Sequence, residues 1–529
     1  MEFKFGGSET NQKTVLGHPS GLFVLFFTEM WERFSYYGMR ALLVLFLVST
    51  LIDGGWAWER SEALQLYGLY TGLVYITPIF GGLIADKLLG YRNAIVLGAL
   101  LMTLGHASMA LEGMTSIFFY LGLFLLIIGN GLFKPNISSM VGQLYKNQGK
   151  EKDAGYTIFY MGINAGAFLG ILLCGYIGEK VGWHYGFGLA GIFMFFGMLQ
   201  FYYAQTIFGR IGLSPKGVVD FEDAIEDSIE EISDDFEDVV DEAKKSKVTK
   251  DRLIVIGVLA FFTIFFWWAF EQAGGSMTIF ANDYTDRVLT GAGANTFKII
   301  NTILTIVPML IITWVLTMLF KQTFSKYSLS NILLGSSFVI IWIIVIWMLK
   351  REFEANTAEV PASWFGILNS FFIIAFAPLF SKIWQSKYNP TGPIKFAIGL
   401  ILLGIGFGIL AYGSMSIPLG AKTASVSMIF LILAYLFHTL GELCVSPVGL
   451  SYVSKLAPVK LVGMMFGVWF VANFIANWTA GVTGSYIDPI VEEYGMTTFF
   501  LIFTLVPIGA GILMIILNKT LLRMMHGIR

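Results

Sequence analysis

Four ionisable side chains interrupt an apolar stretch that is otherwise fit to cross a bilayer. Residues 21–50 read GLFVLFFTEMWERFSYYGMRALLVLFLVST, with Glu29, Glu32, Arg33 and Arg40 near the middle. At 100° per residue these four fall, with Tyr36 and Tyr37, inside an arc of about 140° on one side of a helix. Ionised groups at membrane depth cost several kcal/mol each, so this stripe needs opposing partners or a wet cavity. Acids and bases side by side in such a place can exchange roles: protonating a glutamate releases a base to hold an anion, and deprotonation takes it back. Further along, Lys134 is a cation beside Pro135, and Glu271 follows an aromatic run. Glu442 lies deep in an apolar stretch, with Pro447 five residues on to loosen its helix. Reversible proton binding coupled to the holding of a charged ligand is the chemistry these residues can do.

The elements that must position them are membrane helices. The chain is 56% hydrophobic and 13% charged, with mean hydropathy +0.71, whereas a soluble domain has about 25% charged residues. This composition implies an all-α polytopic membrane protein, multi-pass in the cell inner (plasma) membrane. Apolar runs of about 20 residues begin near 21, 63, 92, 117, 154, 184, 251, 295, 331, 363, 394, 425, 461 and 496, giving fourteen expected spans. With the amino terminus inside, 24 of the 34 Lys and Arg fall in cytoplasmic segments and six outside. That bias places both termini in the cytoplasm. The polar tail 1–20 has no apolar core ahead of a cleavage site, so no signal peptide is expected.

One long polar segment, 209–250, separates the sixth span from the seventh. Its stretch 220–242 carries thirteen carboxylates and no base, with Phe221, Ile225, Ile229, Ile232, Phe236 and Val239 at helical spacing. An amphipathic acidic helix is expected there. Cys174 and Cys444 sit in apolar spans as small packing residues, and His106 and His438 are isolated, so none of the four is assigned a role. No nucleophile with its base, metal cluster, nucleotide loop or nucleic-acid patch stands out, so no enzyme, metal, cofactor or nucleic-acid partner is expected.

Six spans, a cytoplasmic linker and further spans resemble the plan of the major facilitator transporters, two six-helix bundles around a central site. Local motifs sharpen the resemblance. Glu29-Met-Trp-Glu32-Arg33-Phe-Ser-Tyr36-Tyr37 is similar, position for position, to the E-x-x-E-R-F-x-Y-Y signature of the proton-dependent oligopeptide transporters. Phe133-Lys134-Pro135-Asn136 resembles that family's F-K-P-N, and Phe159-Tyr160-Met-Gly-Ile-Asn164-Ala-Gly166 its F-Y-x-x-I-N-x-G. The run around Trp267 and Glu271 resembles its seventh helix, 364–378 with Asn369 its eighth, 441–458 with Glu442 and Ser446 its tenth, and 465–473 with Trp469 its eleventh. The loop 82–92 looks like the one shared among major facilitators between helices two and three. Mammalian relatives carry a functional histidine about two turns before Tyr75, where this chain has Gly68, so proton handling by histidine there is excluded.

The resemblance implies a division into tail (1–20), amino-terminal bundle (21–208), linker (209–250), first carboxyl-terminal helix (251–294), an extra hairpin without family marks (295–350) and five closing helices (351–529). It implies proton-coupled import of di- and tripeptides by alternating access, with no cofactor beyond the proton gradient. Arg33 and Lys134 would hold the peptide carboxylate and Glu442 its ammonium. Tyr36, Tyr37, Tyr75, Tyr160, Asn164, Asn369 and Ser446 would reach polar groups, and Trp267 and Trp469 would wall the pocket. Glu29 and Glu32 would exchange protons beside Arg33 and Lys134, and Arg40 would pair with Glu271 as a gate. The partners expected are peptide, protons and membrane lipid, with the chain acting as a monomer. The alternatives are a same-fold carrier of another small organic or inorganic anion, against whose inorganic form Glu442 argues, and a membrane receptor or lipid-handling protein, which would need no buried acids and bases.

Overall fold

A computed structural model describes residues 3–146, 149–214, 246–458 and 461–528; the expected acidic helix 220–242 lies outside the described residues. Long helices dominate, because an apolar segment in lipid must satisfy its backbone groups within itself. In chain order they are α1 (Ser20–Val48), α2 (Arg60–Ile84), α3 (Gly90–Met109), α4 (Ser116–Gln143), α5 (Lys150–Lys180), α6 (Trp183–Ala204) and α7 (Lys247–Phe270). There follow α8 (Gly291–Thr323), α9 (Ser328–Glu354), α10 (Ile367–Gln385), α11 (Gly392–Gly413), α12 (Ile429–Leu456), α13 (Val462–Gly484) and α14 (Ile487–Met524), the last kinked at Gly495. Strands among the described residues are two-residue pairs in connections.

Twelve helical stretches among the described residues are long and apolar enough to cross a membrane, against fourteen spans expected. Arg60–Met109 is one stretch of 50 residues, in which α2 passes into α3 through a π turn, Ala85–Leu89, ending at Gly90 (φ +71°). The expected loop at 82–92 is therefore largely helical. α1 is not among the twelve, and its four charged residues set it apart from the others.

The helices form two compact units. The first gathers the described parts of Met1–Leu42, Phe80–Val218 and Arg287–Trp364, and the second those of Leu43–Ile79, Val219–Asp286 and Phe365–Arg529. In the first unit α5 lies backbone to backbone on α1. Gly162, Gly166 and Gly170 recur once per turn against Phe26, Met30 and Phe34, and a Cβ on Gly166 or Gly170 would run into the Met30 or Phe34 carbonyl. Small residues at helical spacing permit this approach, which fixes the rotation of α1 and so the direction of its charged stripe. Behind it, Trp31 stacks on Phe193 of α6 with centroids 4.6 Å apart.

The hairpin α8–α9 belongs to this first unit. Phe338 of α9 meets Trp31 and Phe27 edge-on at 5.5 and 5.6 Å. Ser330 Oγ donates to the Gln200 carbonyl of α6 at 2.7 Å. At the hairpin's other end Lys180 pairs with Glu359 at 2.5 Å, and Glu179 accepts from the Ala362 and Ser363 amides. Ile299, Ile303, Leu310 and Trp314 of α8 face outward, each at least half exposed, as suits lipid. Replacing Phe338 by Ala should cost about 3 kcal/mol or more through the cavity left beside Trp31. A lower melting temperature and yield in detergent is the expected result, and an unchanged melting temperature would show that the hairpin does not buttress α1 and α6.

In the second unit α2 packs on helices from the far end of the chain. Arg60 at its start pairs with Asp283 at 2.6 Å and Asp488 at 2.8 Å. Two turns on, Gly68 meets Gly481 of α13 so closely that a Cβ on either would strike the other's backbone. Position 68 thus has no room for a side chain in this arrangement. α7 ends at Phe270 and gives way to a 3₁₀ turn, Glu271–Gly274, pinned by a Gln272 Nε2 bond to the Ala480 carbonyl at 2.9 Å.

Candidate functional site

In the first unit, the face of α1 opposite its packing on α6 carries the charged stripe. Glu29, Glu32 and Arg33 are all buried, at 2%, 0% and 3% exposure, so their charges must be met by one another. Arg33 Nε pairs with Glu29 Oε1 at 3.0 Å, one helical turn away, and also with Glu32 Oε2. The second oxygen of Glu32 accepts from Asn130 Nδ2 of α4 at 3.0 Å. Among the described residues, Glu29 Oε2 and Arg33 Nη2 are buried without a hydrogen-bond partner. One guanidinium is thereby shared between two carboxylates while keeping an unspent donor, so neutralising either acid loosens the base.

The tyrosines of the stripe lie beside its bases. The Arg33 guanidinium sits 5.4 Å from the Tyr36 ring centre and that of Arg40 6.0 Å from Tyr37, and the two rings meet edge-on at 5.1 Å. Lys134, half-buried, stands one turn beyond Asn130 on α4, beside Pro135. On α5, Asn164 is buried and donates its amide to the Tyr160 carbonyl at 3.0 Å, while Tyr160 is 45% exposed. Asn130 is absent from the residues singled out in the sequence. An asparagine between two glycines in an apolar helix reads as packing, and only its i, i+4 spacing to Lys134 could have marked it.

The second unit holds the other carboxylates. Glu442 of α12 is half-buried and accepts from Asn369 Nδ2 of α10 at 2.8 Å, while the same amide reaches Thr439 Oγ1 at 3.2 Å. Among the described residues no Lys or Arg pairs with Glu442. A carboxylate whose partner is a neutral amide is poised to meet a cation from outside the chain. Ser446 lies one turn on, and the indole of Trp469, 6% exposed, lies against Gly449 one turn further. Glu271 is buried in the 3₁₀ turn and accepts from Tyr67 Oη at 3.5 Å. Trp267 and Tyr75 are half-buried, the former packed against Phe266 and Phe270 with centroids 5.2 and 5.1 Å away.

Comparison with known proteins gives this chemistry a family. Residues 92–224 and 335–499 match the model of the POT family. The chain is 32% identical to the di-/tripeptide transporter of Lactococcus lactis subsp. cremoris, covering 98% of this chain and 99% of the relative. It is 33% identical to the peptide transporter YePEPT of Yersinia enterocolitica, over 90% of this chain and 89% of that one. A crystal structure of the peptide transporter POT in complex with sulfate superposes with a TM-score of 0.75 at 29% identity, covering 97% of both chains. A family match over more than half its length, joined to relatives about a third identical almost from end to end, makes this chain a member of the POT family of transporters.

Proposed function

We propose that this multi-pass inner-membrane protein is a proton-coupled symporter importing di- and tripeptides. The observation that carries the reading is the pairing state of its buried charges: Arg33 is held by two glutamates with one donor unspent, and Glu442 has an amide but no cation among the described residues. A peptide zwitterion offers the complementary groups, a carboxylate for Arg33 and Lys134 and an ammonium for Glu442. Tyr36, Tyr37, Tyr75, Tyr160, Asn164, Asn369 and Ser446 serve the polar backbone, and Trp267 and Trp469 give apolar walls tolerant of many side chains. Relatives named as di-/tripeptide and peptide transporters support the substrate class.

A dipeptide carries no net charge, so uphill import needs a driving ion. One proton crossing 100 mV supplies about 2.3 kcal/mol, roughly a 50-fold concentration ratio. Glu29 and Glu32 are the exchange sites beside Arg33 and Lys134. Closure on the substrate is the work of the helices carrying Arg40 and Glu271, assigned as a gate pair. Counting α1 as a span, and Arg60–Met109 as two, gives fourteen crossings, with both termini in the cytoplasm. The arrangement is two six-helix bundles plus the hairpin, working as a monomer without a cofactor.

The test is counterflow in proteoliposomes preloaded with unlabelled dipeptide. Accumulation of labelled dipeptide, abolished by excess tripeptide and unaffected by nitrate, is the expected result. Competition by small anions alone would turn the reading to an anion carrier of the same fold.

A further inference from the structure

On α12, Glu442, Ser446 and Gly449 follow at i, i+4 and i+7, one stripe along one side of the helix. The stripe ends on an aromatic ring. A Cβ built on Gly449 would stand 2.7 Å from Cη2 of Trp469 and nearer still to Cζ2, and 3.2 Å from Cε2, so the Cζ2 edge of the indole rests against the bare glycine. The atoms it would meet belong to a rigid ring and not to the end of a flexible chain, so they cannot yield one at a time. Trp469 is itself anchored in α13, where its carbonyl accepts from Asn473 Nδ2 at 2.9 Å. Any side chain at 449 must therefore swing the whole indole off the α12 surface. Seven residues of helix separate Glu442 from Gly449, about 10 Å along the axis. A side chain leaving a carbon whose ammonium is paired with Glu442 can run past Ser446 and end on that ring.

We propose that Gly449 determines substrate size: by letting the edge of the Trp469 indole seat directly against α12 it sets the room left for the side chain of the peptide's amino-terminal residue. The proposal rests on the reading above, in which Glu442 holds the ammonium and Trp469 is a wall. It adds a residue that binds nothing itself and acts by positioning the ring. A methyl group at 449 lifts the ring into the space beside Ser446 and shortens the slot, and a smaller residue at 469 lengthens it.

The experiment compares competition by Gly-Gly, Ala-Ala, Phe-Ala and Trp-Ala against a labelled dipeptide for the wild type, Gly449→Ala, Trp469→Leu and the double variant, in proteoliposomes of equal transporter content. For Gly449→Ala the ratio of affinities for Ala-Ala over Trp-Ala should rise at least tenfold. Trp469→Leu should lower that ratio below the wild type, and the double variant should return Gly449→Ala to within about threefold of Trp469→Leu. A loss equal for all four peptides in Gly449→Ala, or a bulky-peptide loss that Trp469→Leu does not relieve, would show that Gly449 serves helix packing and overturn the proposal. Should Gly449→Ala prove too unstable to reconstitute, Trp469→Leu alone decides: an unchanged ratio overturns the proposal. Failure of the wild type to exchange any dipeptide would instead overturn the peptide-transport reading, so the two failures are distinguishable.

Discussion

Glu442→Gln should weaken the binding of free dipeptides by about two orders of magnitude or more. In the wild type the carboxylate receives a neutral hydrogen bond from Asn369, and in the function proposed above its charge is left for an incoming ammonium. The amide replacement is of the same size and keeps a neutral acceptor, but the ammonium then enters a water-poor pocket without a counter-charge. Breaking a buried charge pair from one side costs about 3 kcal/mol or more, which is the loss in affinity stated. An amino-acetylated dipeptide is the control, because it has no charge to pair: it should bind the wild type poorly and change little in the variant. Isothermal titration in detergent would measure both. Equal losses for the free and acetylated peptides would mean that Glu442 serves structure or proton transfer, and the assigned orientation of the ligand would have to be reversed.

The second large effect concerns coupling. Glu32→Gln should abolish accumulation driven by a pH gradient while leaving downhill counterflow in place. Glu32 is fully buried, pairs with Arg33 and accepts from Asn130, so an amide of the same size removes the titratable site and, with it, the charge that holds Arg33 from that side. Without that proton site, the release of Arg33 can no longer follow the proton gradient. Peptide exchange, which needs no net proton movement, persists. The two assays on the same vesicles check this, and a variant that still concentrated peptide under an imposed proton gradient would transfer the coupling role to Glu29 or elsewhere.

The site was legible in the sequence where physics makes a residue expensive. Glu29, Glu32, Arg33 and Glu442 stand out because charge within an apolar run has to be answered, and the structure places the first three together on one side of α1. What was not legible is who answers whom across long separations. Arg60 gives no sign in the sequence that its acids are Asp283 and Asp488, because nothing local to α2 requires them. Asn130 looks like filler until Glu32 is seen to accept its amide. The hairpin was recognisable as an addition, but an apolar run carries no record of which helix it will cover, and the α6 surface around Gln200 is indistinguishable from a lipid-facing one. The joint between α2 and α3 differs from the expected loop for a related reason: a polar, glycine-containing stretch reads as a loop, yet the helix runs on to Gly90.

Because each compact unit is assembled from three separate stretches of chain, the order in which a ribosome releases them matters. The carbonyl of Gln200 is made 130 residues before the serine that caps it, and Arg60 is made 428 residues before Asp488. At about 5–20 residues per second, that arginine waits roughly 20 to 90 s at the start of a membrane helix before its second carboxylate exists. Neither half can therefore mature as it emerges. The nascent protein must be held in the bilayer as loosely associated helices, the first unit until the stretch ending at Trp364 has been inserted and the second until residues beyond Asp488 have followed, and the insertion machinery and membrane proteases meet an incomplete second unit throughout that interval.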